Sequence, residues 1–171
     1  MFNKNIKLVL AALIIGYAIY QFAEGFIGNG IFLVFFSLIF IFLYFRNELI
    51  LMAFLRMRKQ DLEGTDKWLS KIKNPAAALT KKQQGYYNYL YGIIYSQKNL
   101  TQAEKFFKKA LELGLNMDYD VAMAKLSLAG IAMQKRRKRE ASILLKEARK
   151  LDKNNMLTEQ IRMMQQQMKK L

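Results

Sequence analysis

The chain has 171 residues, of which 53% are hydrophobic, and a net charge of +15 at pH 7; it contains no histidine and no cysteine. Without cysteine there is no disulfide framework, thiolate nucleophile or Cys-based metal site. Without histidine the commonest general base and the commonest metal ligand are missing as well. Residues 1–45 carry only Lys4, Lys7 and Glu24 as charged side chains, so the basic excess belongs to the rest of the chain.

Residues 8–23 (LVLAALIIGYAIYQFA) and 26–45 (FIGNGIFLVFFSLIFIFLYF) hold no charge. A spanning helix needs about 20 mainly apolar residues. The two stretches therefore read as spans over about 6–23 and 27–45, with Glu24-Gly25 and Gly28-Asn29-Gly30 supplying the turn. A cleaved signal peptide fits the first stretch less well, because Gln21-Phe22-Ala23 lacks the small-x-small cleavage pattern. Ala12-x-x-x-Gly16 offers a small-residue face for the second helix. Lys4 and Lys7 precede the hairpin, Arg46, Arg56, Arg58 and Lys59 follow it, and the loop between has no Lys or Arg. By the positive-inside rule both termini lie in the cytoplasm, which makes this an integral protein of an inner or plasma membrane.

The hairpin occupies residues 1–46, and a second helical domain is expected over 47–171. The run LILMAFLRMRKQ fits two arrangements: one long helix from about 31 to 60, or an interfacial helix after a bend at Arg46–Asn47. It is followed by LEGTDKWLSKIK, where Leu62, Thr65, Leu69 and Ile72 keep a 3–4–3 spacing, and by a stop at Asn74-Pro75. Together these make a helix pair over about 47–79, with Trp68 beside its seam.

Two further helix pairs follow. In 86–113 the apolar positions Tyr87, Leu90, Tyr91, Ile94 and Tyr95 are separated by a polar turn from Ala103, Phe106, Phe107, Ala110 and Leu111. In 122–151, Leu128, Ala129 and Ala132 are separated by KRRKR from Ala141, Leu145 and Ala148. Small residues (Gly92, Ala103, Ala129, Ala141) let the helices of a pair approach. Large ones (Tyr91, Tyr95, Phe107, Leu145) fill the space between neighbouring pairs.

Tyr91-Gly92-x-x-Tyr95 followed by Ala103-x-x-x-Phe107-x-x-Ala110, and Leu128-Ala129-x-x-Ala132 followed by Ala141-x-x-x-Leu145-x-x-Ala148, resemble the tetratricopeptide repeat (TPR) family in degenerate form. Asn88 and Lys125 stand where the family has tryptophan, and the closing proline is absent from both units. Ala103 to Ala141 spans 38 residues, against a usual period of about 34. With the transmembrane hairpin already read from the apolar stretches, the resemblance implies an all-α fold: the hairpin is followed by a TPR-like α-α superhelix with repeats at about 47–79, 85–117 and 122–154, and a capping helix over 155–171. The last helix carries Leu157, Ile161, Met164, Met168 and Leu171 on one stripe. It suits either a cap or a partner-binding or dimer-forming helix.

The resemblance also implies a concave groove for a protein or peptide partner, lined by Tyr86, Tyr89, Ile93 and Gln97 from one repeat and Met123, Leu126 and Gly130 from the next. Some of these residues fit equally well as core, or as a surface covered by the C-terminal helix. The basic run Lys135, Arg136, Arg137, Lys138 and Arg139 is a second candidate surface. It suits a solvated loop, an anionic lipid headgroup layer or an acidic protein. No aromatic residue interleaves with it, which disfavours nucleic acid. The expected function is therefore a membrane-anchored adaptor or scaffold, not an enzyme, with no cofactor and no metal. The alternative is a hairpin that oligomerises or grips a membrane partner, with the repeats regulatory.

Overall fold

The computed structural model of the chain describes residues 4–45 and 47–170, without the side chains of Lys4, Phe45 and Lys170. Arg46 and Leu171, counted above in the charge flank and the C-terminal stripe, lie outside the described residues. Ten helices form among them: α1 (Lys4–Ala23), α2 (Ile27–Phe45), α3 (Glu48–Arg58), α4 (Leu62–Leu69), α5 (Pro75–Ala78), α6 (Lys81–Ser96), α7 (Leu100–Leu113), α8 (Asp118–Gln134), α9 (Lys138–Leu151) and α10 (Thr158–Lys170). They divide into two compact units, one ending at Thr80 and the other beginning at Lys81. The α3–α4 pair thus groups with the apolar hairpin.

In the first unit α1 and α2 fold back on each other through the turn at Glu24-Gly25. Their seam is built from small residues. Ala11, Ala18 and Ser37 are buried, and Gly30 meets the ring of Phe22 so closely that a methyl group there would come within 2.7 Å of it. The Ser37 hydroxyl donates to the Val34 carbonyl at 2.8 Å, so it needs no partner across the seam. Ala12 and Gly16, expected on this seam, face outward instead, and nothing lies within 4 Å of a Cβ placed at Gly16. The helix register explains this: Ala11 and Ala18, seven residues apart, return to the same side after two turns. Both helices are long and apolar enough to cross a membrane, and only 11% of each apolar window is covered by protein.

The second apolar helix does not run on to residue 60. Asn47 interrupts it with extended backbone (φ −62°, ψ 126°), and its Oδ1 accepts from the amides of Leu49 and Ile50. An asparagine cap at this point satisfies the first orphan donors of α3 and so stabilises a separate helix. The Lys7 ammonium donates to the Leu43 carbonyl near the end of α2 and to the Glu48 carboxylate at the start of α3. α3 packs on α4 through Ile50 and Ala53, against buried Thr65 and Leu69. Asp61 caps α4 by accepting from the Gly64 amide at 2.7 Å. Asn74 and Pro75 end the pair and also open α5, with Asn74 as its cap and Pro75 in the first turn. Trp68 is half-buried, with the Lys71 ammonium 3.6 Å over its ring.

In the second unit α6–α7 and α8–α9 are helix hairpins, α7 packs on α8, and α10 packs on α9 and α8. The small residues lie where the helices touch. Ala103, Ala129 and Ala141 are completely buried, and a Cβ on Gly92 would come 2.8 Å from the Phe107 ring. Gly85 likewise lets α6 approach the Gly114 carbonyl at the end of α7. Phe107 is fully buried within its own hairpin, edge-on to Tyr89. Tyr91 and Tyr95 stack on Phe106 of the same hairpin, at 5.4 and 5.2 Å between ring centroids. Tyr91, Tyr95 and Phe107, expected to fill the space between neighbouring pairs, thus make these ring contacts within a single hairpin.

The C-terminal stripe lies where its spacing places it. Leu157 and Ile161 are buried with Ala122, Leu126, Ala129, Leu145 and Ala148, and Met164 and Met168 pack against the same cluster. Asp152 directs this helix. Its carboxylate, nearly buried, accepts from the amides of Met156 and Leu157 at 2.9 and 2.8 Å.

Candidate functional site

The residues expected to line a groove are only partly open. The Tyr86 hydroxyl donates to the Asp120 carboxylate and accepts from the Asn116 amide, tying α6 to the first turn of α8. Tyr89 is buried, and its phenol is pushed well above the ordinary tyrosine value, first by desolvation and then by the nearby Asp120 charge. Ile93 is half-buried and Gln97 exposed. On α8, Leu126 belongs to the core under α10 and Met123 packs against that core. A Cβ on Gly130 would stand 3.5 Å from the Met164 methyl group. Of the two outcomes left open for these residues, α8 shows the second: its face lies under the C-terminal helix.

The basic run splits in two. α8 ends at Gln134, and Arg136 takes a left-handed conformation (φ 57°). The Arg136 amide then donates to the Met133 carbonyl and the Arg137 amide to the Ala132 carbonyl, the Schellman pattern that closes many helices. This reversal turns Lys135 and Arg137 back toward α7. The two terminal guanidinium nitrogens of Arg137 donate to the two carboxylate oxygens of Glu104, at 3.0 and 2.7 Å. Lys135 and Lys108 each donate to Glu104 at 2.8 Å. Glu104 is only 12% exposed. The Arg137 hydrogen bonds, followed by those of Lys108 and Lys135, outweigh the cost of burial and hold its carboxyl far below the usual glutamate range.

The other members, Arg136, Lys138 and Arg139, are exposed. Together with Arg137, Glu140, Ile143, Leu144 and Glu147 they line an open concavity of about 700 Å³ beside α9. Ile143 is 49% exposed at its floor. In the sequence it stands outside the Ala141–Leu145–Ala148 stripe, so the helical period does not single it out. An isolated apolar side chain on an otherwise charged helix face was the available signal. The concavity can hold an apolar side chain flanked by carboxylates.

Among the described residues, no group of three or more Asp or Glu side chains is placed to hold a metal ion. No protein family, curated protein or solved structure matches this chain.

Proposed function

We propose that the protein is a membrane-anchored, TPR-like adaptor that works by contact. In this reading α1 and α2 span an inner or plasma membrane with both termini in the cytoplasm. The second unit is a short TPR-like superhelix. α10 occupies the position of a next first helix and closes the apolar edge of the stack as its cap. The surface offered to a protein or peptide partner is the basic turn with Ile143, rather than the α8 groove. The observation that carries this is the outward set of Arg136, Lys138 and Arg139 around a half-exposed isoleucine. Such a surface fits an acidic segment bearing one apolar anchor.

A photo-crosslinking residue at Ile143 of the full chain, in native membranes, tests the reading. Capture of a discrete protein is expected, and it is lost when Arg136, Lys138 and Arg139 are all changed to Glu. Capture that survives this reversal rejects the surface. Capture from a crosslinker at Ile93 instead moves docking to the α6 face.

The hairpin-centred reading also has an observation behind it. Ala12 and Gly16 face away from α2, as a small-residue contact for another membrane helix would require. Loss of the membrane partner in Gly16→Ile, with the α9 reversal silent, would favour that reading.

A further inference from the structure

α3 has two apolar faces, and the protein covers only one of them. Ile50 and Ala53 are buried against α4. Leu51, Met52 and Leu55 are 42, 44 and 47% exposed. At about 100° per residue these three fall within a sector of roughly 100°. Arg58 and Lys59, both exposed, border that sector at the end of the helix. The start of α3 is fixed by the Lys7 ammonium, which holds the Glu48 carboxylate and the Leu43 carbonyl together. α3 therefore begins at the end of the hairpin where α1 starts and α2 stops. With 19 residues, α2 is about 28 Å long at 1.5 Å per residue, close to the hydrocarbon thickness of a bilayer. The first turn of α3 thus stands at the level where hydrocarbon gives way to headgroups.

We infer that the outer face of α3 is a second membrane contact, with Leu51, Met52 and Leu55 seated in the headgroup layer of an anionic bilayer and Arg58 and Lys59 on its phosphates. This inference rests on the reading of α1 and α2 as spans. The occupant is the bilayer because α3 starts at the end of the hairpin, where Lys7 joins Leu43 and Glu48, and the hairpin's own apolar side chains, Leu38 and Phe42 among them, are likewise about half exposed. Its basic border complements an anionic leaflet. α4 then lies on the water side of α3, with Glu63 and Lys67 exposed.

The absence of cysteine makes the test direct. Full-length Met52→Cys, Leu55→Cys, Lys67→Cys and Phe35→Cys variants would each carry one environment-sensitive fluorophore. They would be reconstituted in phosphatidylcholine vesicles with or without phosphatidylglycerol. Labels at 52 and 55 are expected to be quenched several-fold more by a shallow lipid-borne quencher than the label at 67, and more strongly with phosphatidylglycerol present. Aqueous iodide should reach mainly 67. The inference is overturned if 52 and 55 respond to iodide as 67 does while 35 responds only to lipid. It is also overturned if their lipid quenching is the same without anionic lipid. Iodide access at 35 removes the membrane reading itself, and the inference with it.

Discussion

Glu104 is the residue on which the two hairpins of the second unit are tied, since it sits on α7 and takes its donors from the turn before α9. Its folded carboxyl ionises far below the ordinary value, whereas in the unfolded chain it should titrate near about 4.3. The stabilisation is therefore complete above that pH and is lost as the pH falls toward the folded value. Thermal melts of the full chain in detergent should show a stability arm that declines below about pH 4.5. Glu104→Gln should flatten that arm and lower the melting temperature at pH 7. An unchanged acid slope in Glu104→Gln would assign the arm to other carboxylates. The basic run offers a contrast between adjacent residues. Arg136 is left-handed, a conformation costing a non-glycine residue about 1 kcal/mol that glycine avoids. Arg136→Gly should thus leave stability unchanged or raise it by up to about 1 kcal/mol. Arg137→Ala, which strips Glu104 of its bidentate partner, should be destabilising. Chemical unfolding followed by circular dichroism measures both, and a loss in Arg136→Gly as large as in Arg137→Ala would contradict the division. From the sequence these five basic residues looked alike. Their split depends on a backbone reversal and on a carboxylate more than thirty positions away, and neither leaves a local mark.

Helices were the most legible level, because each amphipathic period and each cap is written over a few neighbouring residues. The stripe of Leu157 and Ile161 and the small residues of both hairpins fall where their spacing places them. Asn47 was the harder signal. The sequence around it has no Gly or Pro, and a single asparagine is read as helix or as cap only through its backbone conformation. Register on the apolar hairpin was illegible for a related reason. In helices apolar all round, Ala11 and Ala12 carry the same information, and contact alone decides which faces the partner. Two element-scale outcomes follow from the packing. Gly92→Ala places a methyl group 2.8 Å from the Phe107 ring and should cost about 1–3 kcal/mol, as overpacking does. Phe107→Leu in the same chain should recover part of the loss, and a double-mutant cycle by denaturant unfolding reads that coupling. Asp152→Ala removes the acceptor for the Met156 and Leu157 amides just before α10 and should cost about 0.5–2 kcal/mol. Hydrogen exchange should quicken at Met156–Ile161 while α6 keeps its protection. Uniform loss across both would mean that α10 is not a separately opening element.

At the scale of the whole chain, charge and apolar surface are partitioned between the two units. Residues 81–171 hold 19 basic and 8 acidic side chains, and the two helices long and apolar enough to cross a membrane lie entirely in the first unit. The structure changes what each flanking charge can contribute to orientation. Lys7 is paired with Glu48 across the ends of α1 and α3, so its charge is locally balanced. In the proposed topology the bias then rests on Arg56, Arg58 and Lys59 beyond the second span, together with Arg46 directly after that span and Lys4 before the first one. The loop side carries only Glu24 and no basic residue. Orientation should accordingly be resistant to Lys7→Gln but sensitive to moving charge across the hairpin. A single cysteine at Asn29, exposed in the first turn of α2, should react with a membrane-impermeant maleimide from outside intact cells. One at Lys153 should react only after the membrane is permeabilised. Adding Asn29→Arg and changing Arg56 and Arg58 to Gln, with the reporter cysteine kept at position 153, should produce a mixed population in which part of that cysteine becomes reactive from outside. If position 153 in the unaltered chain is labelled from outside, the second unit faces the other compartment, and an acidic partner of the kind proposed for the Ile143 surface must be sought there.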